Sequence, residues 1–558
     1  MFVDFPYHRS RTFKLSVALS VLQFNALVAF WLASVVNIPF YQAIAGLTSY
    51  HGRAAAIFLL ATGLIIFAYY LFALQLLSWR FNAKWVAGVL VVISAMGNYF
   101  VSELGIDINQ GQILNMMQTD LHEMLDLVSW RAAQLTVLTI ILPLLVIWQV
   151  RLPKASIKTV LLQKLLTCVA TLAIIAGLVF TYYGQYAPMF REHRNLKEKL
   201  NPNNSISGLL SYGKHYFRLE DKPLLHYGTD AKMTGTTMTG TATDLPRLMV
   251  LVVGETGRAE SFSLNGYHRD TNPELAKLDV LNFSSVASCG TETAVSVPCM
   301  FSGMPRQHYD ASLASHREGL LDIAKRAGYE VTWIDNNSGC KRTCDRVSRF
   351  GLPLSDKEHW CNNGECYDDI LLASMDAYLK QLANKLHPAN QLIVLHQMGS
   401  HGPAYYKRYP AAFQKFVPTC DTNAIQNCNH ASLINSYDNT IVYTDHILAG
   451  LISRLKQQTG FQTGMWYVSD HGESTGEHGL YLHGAPYVLA PSQQTHVPMI
   501  LWFSKAWQQQ QPTLVPCLQQ QLGLPRSQDN LFPTLLSVLH INTRVIDPQF
   551  NMLSLCHA

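Results

Sequence analysis

Long apolar runs dominate the N-terminal third of the chain, and a more polar sequence follows them. Before about Tyr183 the apolar runs succeed one another closely, whereas charge, proline, glycine and cysteine return after it. Each run approaches the length of roughly 20 residues that an α-helix needs to cross a bilayer. A signal peptide does not fit, because the first run is too long and further runs follow it. The five runs are Leu15–Val36, Ala54–Leu77, Trp85–Val101, Ala132–Val150 and Val160–Tyr182.

The basic residues between these runs predict how the helices are oriented in the membrane. Lysine and arginine precede run one and separate runs two and three and runs four and five, while the alternate loops are poor in both. The positive-inside rule therefore places the N-terminus in the cytoplasm. We predict a five-helix transmembrane domain over residues 1–183, which exports the rest of the chain to the opposite side. The basic residues are Arg9, Arg11, Lys14, Arg80, Lys84, Arg151, Lys154 and Lys158.

Residues 184–245 form a connector of two kinds. The segments Phe190–Leu200 and Leu209–Leu219 combine charged with apolar or aromatic residues. This pattern is typical of a helix that lies along a membrane surface, and an ordinary solvated helix is the alternative. Thr229–Asp244 contains threonine, glycine, methionine and alanine with few large apolar groups, so it predicts a flexible linker.

From Pro246 onward, strand-like apolar runs alternate with helical patterns. This alternation predicts an α/β domain over residues 246–558, in which helices cover a mostly parallel sheet. The predicted strands are Leu248–Val253, Val331–Ile334, Leu392–Leu395, Met465–Val468 and Met499–Phe503. The predicted helices are Gly319–Ala327, Asp368–Leu386 and Leu433–Lys456.

Acidic and imidazole side chains stand directly after several of the predicted strands. In parallel α/β sheets the functional groups gather beyond the carboxyl ends of the strands. Glu255, Asp335, His396 and Asp470 each occupy such a position, and His471 follows Asp470. Taken singly, each could be a capping or turn residue. Together, at the strand ends of one domain, they favour a metal site.

Thr293 lies in the segment Cys289–Cys299, which we interpret as a short loop that its two end cysteines could staple. Glu255, Thr293, Asp470 and His471 offer two carboxylates, a hydroxyl and an imidazole, a set that suits zinc. A metal-activated threonine can attack phosphorus. We therefore predict that Thr293 is the catalytic nucleophile and that all four residues bind zinc.

Two further histidines and one lysine extend the predicted site. His401 and His483 stand beside glycines, which let the backbone approach a ligand closely. We expect them to bind either a second zinc or the oxygens of a substrate phosphate, with His396 and His478 as weaker alternatives. Lys341 lies between two cysteines and is interpreted as a rigid positive charge for a phosphate, or else as an ordinary surface lysine.

Cysteine usage also indicates an oxidising compartment. Of the 11 cysteines, only Cys168 lies in an apolar run. The close spacing of most of the others predicts disulfides, since none shows the two-residue gap that zinc ribbons favour. Cys517 and Cys556 have no assigned partners. The predicted pairs are Cys289/Cys299, Cys340/Cys344, Cys361/Cys366 and Cys420/Cys428.

Five motifs follow one another along the chain: Val253-Gly254-Glu255-Thr256, Ser288-Cys289-Gly290-Thr291-Glu292-Thr293-Ala294-Val295-Ser296, Asn336-Asn337-Ser338-Gly339-Cys340-Lys341, Gly399-Ser400-His401-Gly402-Pro403 and Ser469-Asp470-His471-Gly472-Glu473-Ser474. In this order they resemble the motifs of the phosphoethanolamine transferases that modify lipid A. This family includes the mobile colistin-resistance enzymes and belongs to the alkaline phosphatase and sulfatase superfamily. Five spans followed by an exported domain are also similar to it. One departure from the family pattern is His478, which leaves the number of histidines at the second site open.

The resemblance implies a zinc-dependent enzyme of the bacterial inner membrane with its catalytic domain in the periplasm. It would transfer phosphoethanolamine from phosphatidylethanolamine to a phosphate of lipid A by a ping-pong mechanism through phospho-Thr293. One tight Zn²⁺ is expected, and a second is left open. The product would protect the cell against polymyxin and other cationic peptides.

Other functions compete with this one. The acceptor could be another glycan, such as lipopolysaccharide core or a glucan, or water could resolve the intermediate in a phosphodiesterase or sulfatase-like hydrolase. A sulfatase would need a C/S-x-P-x-R context, which the sequence around Thr293 lacks. A binding protein that lost its activity would be missing a ligand or the nucleophile, and none is missing. A net charge of +4 gives no indication of nucleic acid binding.

Overall fold

The computed structural model describes residues 17–106, 108, 112–113, 116–117, 129–219, 222–234, 245–352, 359–362 and 365–557. The chain forms two compact units. The first comprises Met1–Glu103, Asp107–Asn109 and Trp130–Ser207, and the second comprises Leu104–Ile106, Gln110–Ser129 and Gly208–Ala558. Arg9, Arg11, Lys14 and most of the predicted linker Thr229–Asp244 lie outside the described residues.

The first unit contains five helices that are long and apolar enough to cross a membrane, which confirms the predicted number. The first helix ends eleven residues later than the predicted run, at Leu47 instead of Val36. The reason is the buried Asn37, which interrupts the apolar run but donates its amide hydrogen to the Leu32 carbonyl oxygen and so stays satisfied. The helices are α1 Val21–Leu47, α2 Gly52–Leu77, α3 Ala83–Glu103, α4 Trp130–Gln149 and α5 Ile157–Thr181.

Two helices follow in the predicted connector. The helix α6 spans Tyr183–Glu192, and α7 spans Asn203–Leu219. The second starts six residues before the predicted segment Leu209–Leu219. Leu209 and Leu210 on α7 are more than half exposed, which agrees with a surface position in water or lipid. That α7 lies on a membrane remains a prediction.

The second unit is built on an eight-stranded sheet. Its strands are β1 Arg247–Gly254, β2 Leu281–Ala287, β3 Glu330–Asp335, β4 Ser348–Phe350, β5 Gln391–His396, β6 Gln462–Ser469, β7 His496–Phe503 and β8 Arg526–Ser527. They lie in the order β8-β2-β7-β6-β1-β5-β3-β4. All neighbouring strands are parallel except β7, which is antiparallel to both β2 and β6. The predicted mostly parallel α/β fold is therefore confirmed, and all five predicted strands are present.

Helices cover the sheet, and the three predicted ones correspond to α10 (Leu320–Arg326), α11 (Asp369–Ala383) and α12 (His430–Lys456). The segment that we interpreted as a loop around Thr293 is instead the helix α8, so that expectation was wrong. Pro298 inside this helix lacks an N–H donor and is more typical of loops. The helices of this unit after α7 are α8 Thr293–Ser302, α9 Ala311–His316, α10 Leu320–Arg326, α11 Asp369–Ala383, α12 His430–Lys456, α13 Ser492–Thr495, α14 Lys505–Gln510, α15 Leu514–Gln519 and α16 Leu531–Val538.

The central strands are buried on both faces. Every residue of β5 and β6 is buried, and only the first residue of β1 is not. Continuous apolar strands are expected where helices cover both sides of a parallel sheet. Large side chains from strand and helix meet in this core, among them Phe301, Trp333 and Trp466. A rigid sheet of this kind fixes the positions of the residues that follow its strands.

Five disulfides connect ten of the described cysteines, and Cys168 is free. Four of the bonds join the closely spaced cysteines. The fifth joins Cys517 to Cys556, 39 residues apart, a pair that the sequence left unassigned. Cys289–Cys299 ties the segment before Thr293 to the middle of α8. The bonds are Cys289–Cys299, Cys340–Cys344, Cys361–Cys366, Cys420–Cys428 and Cys517–Cys556.

Candidate active site

Two neighbouring parallel strands bring two carboxylates to one edge of the sheet. Gly254 at the end of β1 lies opposite Ser469 at the end of β6. Glu255 and Asp470 are the next residues of each strand, so the strand register alone places them side by side. The Asp470 amide donates to the Gly254 carbonyl oxygen at 2.9 Å, which extends the ladder by one bond. This edge is the carboxyl end of the strands, where such sheets place their functional groups.

Thr293 is the first residue of α8, and its hydroxyl points at this pair of strand ends. Thr293 Oγ1 lies 3.2 and 3.1 Å from the two Glu255 carboxylate oxygens. It also lies 3.3 Å from Nε2 of His471. His471 Nε2 is in turn 3.4 Å from Glu255 Oε1 and 3.4 Å from Asp470 Oδ2. The structure thus brings together all four residues that the sequence predicts as zinc ligands.

The hydrogen bonds around this cluster leave lone pairs facing its centre. His471 Nδ1 is 2.8 Å from the Gly472 carbonyl oxygen, so Nδ1 carries the hydrogen and Nε2 is free to accept. Asp470 Oδ1 accepts from the Thr256 and His471 amides. The opposite oxygen, Oδ2, is buried and faces Nε2 of His471. Because a bound metal needs such lone pairs, held by outer hydrogen bonds, these residues fit a zinc ion.

Burial makes the cluster costly without a cation. Glu255, Asp470 and His471 are each at most 2% exposed. Burial raises the pKa of Asp470, and burial together with the nearby His483 lowers the pKa of His471 well below its usual value. Two buried carboxylates within a few ångströms of each other repel unless a positive charge lies between them. A divalent cation meets this need.

Two amide side chains that the sequence did not single out hold the cluster in place. Asn337 donates to Glu255 Oε2 at 2.9 Å and to the Gln397 carbonyl oxygen at 2.7 Å. Gln528 donates to the carbonyl oxygens of Ser469 and Asp470, both at 2.7 Å. Its own carbonyl oxygen accepts from the Cys289 amide at 2.7 Å, so it joins the segment before Thr293 to the end of β6.

His401 and His483 form a second cluster beside the first. The ring centroids of these two histidines lie 5.9 Å apart, and those of His483 and His471 lie 4.4 Å apart. Glu473 Oε2 is 2.8 Å from His483 Nδ1, and Glu473 Oε1 accepts a hydrogen bond from the Tyr405 hydroxyl at 2.6 Å. The sequence contained Glu473 in a motif but gave no reason to pair it with His483, because ten residues separate them.

The two histidines differ in their protonation. Burial, with added repulsion from Arg408, lowers the pKa of His401 well below its usual value. Burial also disfavours protonated His483, yet the carboxylates of Glu473, Asp470 and Glu292 together outweigh burial and raise the pKa of His483. The ligand atoms of His471, Glu473 and His483 lie close enough together to share an ion. This cluster can therefore bind a second metal or, through protonated His483, an anion.

Glu292, directly before Thr293, is a further buried acid that the sequence did not single out. Its side chain is 6% exposed, and Oε2 accepts no hydrogen bond among the described residues. Burial raises the pKa of Glu292 to about 7, against a smaller opposing effect of His483. Because this pKa is close to neutrality, Glu292 is only partly ionised beside the second cluster.

Lys341 lies near this site on a tight turn. Its backbone has a φ of 48°, and the Cys340–Cys344 disulfide encloses it. The ammonium group donates to the side-chain and main-chain oxygens of Ser338 at 2.9 and 3.2 Å. Lys341 also lines a cavity of about 330 Å³ together with Ala294 of α8. A positive charge held beside the helix that begins at Thr293 suits a phosphate.

Three other residues that the sequence weighed do not enter the zinc cluster. His396 is buried and pairs through Nδ1 with the side-chain oxygen Asp335 Oδ1 at 2.8 Å. The strand register of β3 and β5 places these two residues opposite each other. His478 is exposed in a turn with a φ of 54°.

The fold and the site together define the class of the second unit. Residues 247–541, more than half of the chain, match the family model described as Sulfatase. This model covers all eight strands of the sheet. The second unit is therefore a domain of the alkaline phosphatase and sulfatase superfamily.

The whole chain resembles proteins of one family within that superfamily. Residues 66–217 match the model described as Phosphoethanolamine transferase EptA/EptB. Phosphoethanolamine transferase EptA of Salmonella typhimurium is 40% identical over 534 residues, which cover 95% of this chain and 96% of that protein. Phosphatidylethanolamine transferase Mcr-1 of Escherichia coli is 36% identical over 552 residues, which cover 96% of this chain and 97% of that protein.

Solved structures agree with these relatives. The integral membrane protein lipooligosaccharide phosphoethanolamine transferase A of Neisseria meningitidis matches with a TM-score of 0.91 at 35% identity, covering 97% of this chain and 99% of that one. The C-terminal periplasmic domain of phosphoethanolamine transferase EptC of Campylobacter jejuni matches with a TM-score of 0.51 at 42% identity, covering 59% of this chain and 97% of that one. The chain belongs to the EptA family of phosphoethanolamine transferases.

Proposed function

We propose that this protein transfers phosphoethanolamine from phosphatidylethanolamine to a phosphate of lipid A, with Thr293 as the nucleophile. The observation that carries the proposal is the position of the Thr293 hydroxyl, within 3.3 Å of both Glu255 oxygens and of His471 Nε2. The names of the EptA and Mcr-1 relatives support the transferred group. The five apolar helices support an anchor in the inner membrane, and the periplasmic domain named for the Campylobacter jejuni relative supports a catalytic site on the periplasmic side.

Four residues would hold a zinc ion: Glu255, Thr293, Asp470 and His471. A bound zinc supplies positive charge that lowers the pKa of a coordinated hydroxyl and offsets the charge of a reacting phosphate. Whether a second zinc joins His401, His483 and Glu473 is a separate question, which metal analysis of the purified protein answers. The hydrogen bond of Asn337 to Glu255 keeps the carboxylate turned toward Thr293.

The first half-reaction loads the threonine. Thr293 releases its hydroxyl proton to solvent, Oγ attacks the phosphorus of phosphatidylethanolamine, the Oγ–P bond forms, and the bond from phosphorus to the glycerol oxygen breaks. Diacylglycerol leaves after its oxygen takes up a proton. His483 is the better proton donor of the two histidines, because Glu473 raises the pKa of His483 whereas the pKa of His401 is lowered.

The second half-reaction releases Thr293 from the phosphoethanolamine group. A phosphate oxygen of lipid A attacks the same phosphorus, the Oγ–P bond breaks, and Thr293 Oγ takes up a proton from solvent to regain its hydroxyl. Two displacements at one nucleophile predict ping-pong kinetics. Lys341, held at Ser338, offsets charge on the phosphoryl oxygens in both steps. The product carries an added ammonium group, which weakens the attraction of the lipid A surface for polymyxin and other cationic peptides.

Mass spectrometry of the threonine tests this proposal. The zinc-loaded chain is incubated with phosphatidylethanolamine without acceptor, and we expect a phosphoethanolamine adduct on Thr293. Thr293→Ala should give no adduct and no turnover. Ser302→Ala is the matched control, because this hydroxyl at the other end of α8 donates to the Cys299 carbonyl oxygen instead of facing Glu255. An active enzyme that carries the adduct elsewhere, or carries none, would refute the assignment.

The identity of the acceptor needs its own test. The Kdo(2)-lipid A phosphoethanolamine 7''-transferase of Escherichia coli is a relative at 26% identity, against 40% for EptA of Salmonella typhimurium. The resemblance of the active-site motifs to the transferases that modify lipid A favours a lipid A phosphate as the acceptor. Expression in a host that lacks the modification should add phosphoethanolamine to lipid A. Phosphoethanolamine found only on the sugar core would move the assignment to a glycan acceptor.

A further inference from the structure

The loop Pro486–Ala490, which follows the active-site histidine His483, exposes two apolar side chains. Val488 is 91% exposed and Leu489 is 56% exposed. The segment from Gly484 to Pro491 contains no charged residue. Single exposed apolar residues are common on protein surfaces, so exposure alone would carry no inference. The way in which this loop is held is what distinguishes it.

Hydrogen bonds fix the loop to the segment that carries the nucleophile. The Gly484 amide donates to the Thr291 carbonyl oxygen at 2.8 Å, and the Thr291 hydroxyl donates to the Ala485 carbonyl oxygen at 2.7 Å. The Tyr487 hydroxyl donates to the Ser288 carbonyl oxygen at 2.9 Å. These bonds hold the base of the loop against residues two and five positions before Thr293. Its exposed tip therefore has a fixed position relative to the nucleophile.

The tip itself is a tight turn. The Leu489 amide donates to the Pro486 carbonyl oxygen at 2.7 Å. The ring of Tyr487 lies at the base of this turn, with the Arg306 guanidinium 3.2 Å from its centroid. The loop thus has an apolar tip above an aromatic ring and a cation. Aromatic and basic residues beneath an apolar segment are typical of protein parts that sit at a membrane interface.

We infer that the Pro486–Ala490 loop inserts Val488 and Leu489 into the lipid surface from which Thr293 takes its substrate. The inference rests on the proposed function in one respect: both substrates are lipids that stay in the bilayer. A fixed apolar contact beside the nucleophile would hold the site at the depth of the head groups. It would also keep the catalytic residues in register with a phosphate at that depth.

A lipid surface fits this loop better than a protein partner does. Two neighbouring side chains present far less than the roughly 800 Å² per partner that a stable protein interface needs. A bilayer can accept a small apolar tip, because its acyl chains adapt to the shape of what enters them. Leu386 provides the contrast within the same domain. It is 95% exposed but lies between α11 and the start of β5, at the opposite edge of the sheet from the site.

Spin-label depth measurements test the inference without any need for turnover. Val488→Cys and Leu386→Cys are made separately in a Cys168→Ser background, labelled, and reconstituted in nanodiscs of phosphatidylethanolamine and phosphatidylcholine. We expect the label at position 488 to collide readily with oxygen and to be shielded from a water-soluble nickel complex. The label at position 386 should show the reverse pattern. Equal access of nickel to both labels would overturn the inference. Shielding of position 488 from oxygen as well as nickel would indicate a protein partner or a second copy, and would overturn it too.

Kinetics with lipid vesicles give a second test. Val488→Asp should raise the KM for phosphatidylethanolamine in vesicles about tenfold, the factor expected for losing the burial of one valine side chain, with kcat within twofold. Leu386→Asp is the matched control and should leave both constants unchanged. A Val488→Asp enzyme with the wild-type KM would contradict insertion. If position 488 is buried in lipid but Thr293 never carries an adduct, the proposed function fails while the lipid contact stands.

Discussion

Replacing Gln528 with leucine should lower both the stability of the protein and its rate of catalysis. Gln528 contacts only the main chain of the predicted zinc ligand Asp470, not its carboxylate. Gln528 is 1% exposed and makes three hydrogen bonds of 2.7 Å, to Cys289 N, Ser469 O and Asp470 O. Leucine is similar in size but can make none of them. The substitution therefore removes the connection between the segment before Thr293 and the end of β6.

The size of the effect follows from those three bonds. A buried hydrogen bond contributes about 1 kcal/mol net, and a buried group left without a partner costs about 1–3 kcal/mol. We expect Gln528→Leu to lower the free energy of unfolding by about 3–5 kcal/mol, or Tm by roughly 5–10 °C. A shift of the nucleophile by about 1 Å can cost about 100-fold in rate, so kcat should fall at least tenfold.

Thermal unfolding and steady-state transfer kinetics of the full chain in detergent measure these effects. Gln520→Leu is the matched control, because this glutamine is exposed after α15 and its loss should change stability by less than about 0.5 kcal/mol. A Gln528→Leu protein with the Tm of the control and kcat within twofold of wild type would refute the reasoning. It would show that the bridge does not position Thr293.

Three further predictions concern the bound metal, the hydrogen bond that Asn337 donates to Glu255, and the pH dependence of stability. Chelation should abolish transfer, and added Zn²⁺ should restore it; activity that survives complete removal of metal would contradict a zinc role. Asn337→Leu removes the donor to Glu255 and should weaken zinc binding by roughly 10–100-fold in a chelator competition; an unchanged affinity would contradict this support. Burial raises the pKa of Asp445 from 3.8 to about 7, so folded Asp445 holds a proton that the unfolded chain loses. Its contribution to stability is complete below pH 3.8 and is lost as pH rises to about 7, so the Tm of wild type minus that of Asp445→Asn should fall between pH 4 and pH 7; a flat difference would contradict the shift.

Much of this architecture could be predicted because it depends on local patterns. Apolar runs predicted the five helices, and β-type runs predicted β1, β3, β5, β6 and β7 to within a few residues. Residues directly after strands could be grouped into a site because parallel strands end at one edge. The strand β2, Leu281–Ala287, was missed because its apolar and polar residues do not alternate regularly. The direction of β7 could not be read from its pattern, since antiparallel and parallel buried strands have the same composition.

The hydrogen bonds that hold the site residues in place could not be predicted from the sequence, because their partners lie far apart along the chain. Gln528 lies 239 residues from Cys289, and Asn337 lies 82 residues from Glu255. A single glutamine or asparagine gives no signal of which backbone group it will meet. The helix around Thr293 was taken for a loop because Cys289 and Cys299 are spaced as if they stapled one. Only the tertiary structure shows that α8 points the threonine hydroxyl at two strand ends.

Diffraction from crystals of the zinc-loaded protein, with the wavelength set at the zinc absorption edge, would locate the ion among these side chains. We predict an anomalous peak about 2.0–2.2 Å from Thr293 Oγ1, from one oxygen each of Glu255 and Asp470, and from His471 Nε2. A peak confined to His401, His483 and Glu473, or no peak at all in crystals of active enzyme, would contradict the zinc site assigned to Thr293.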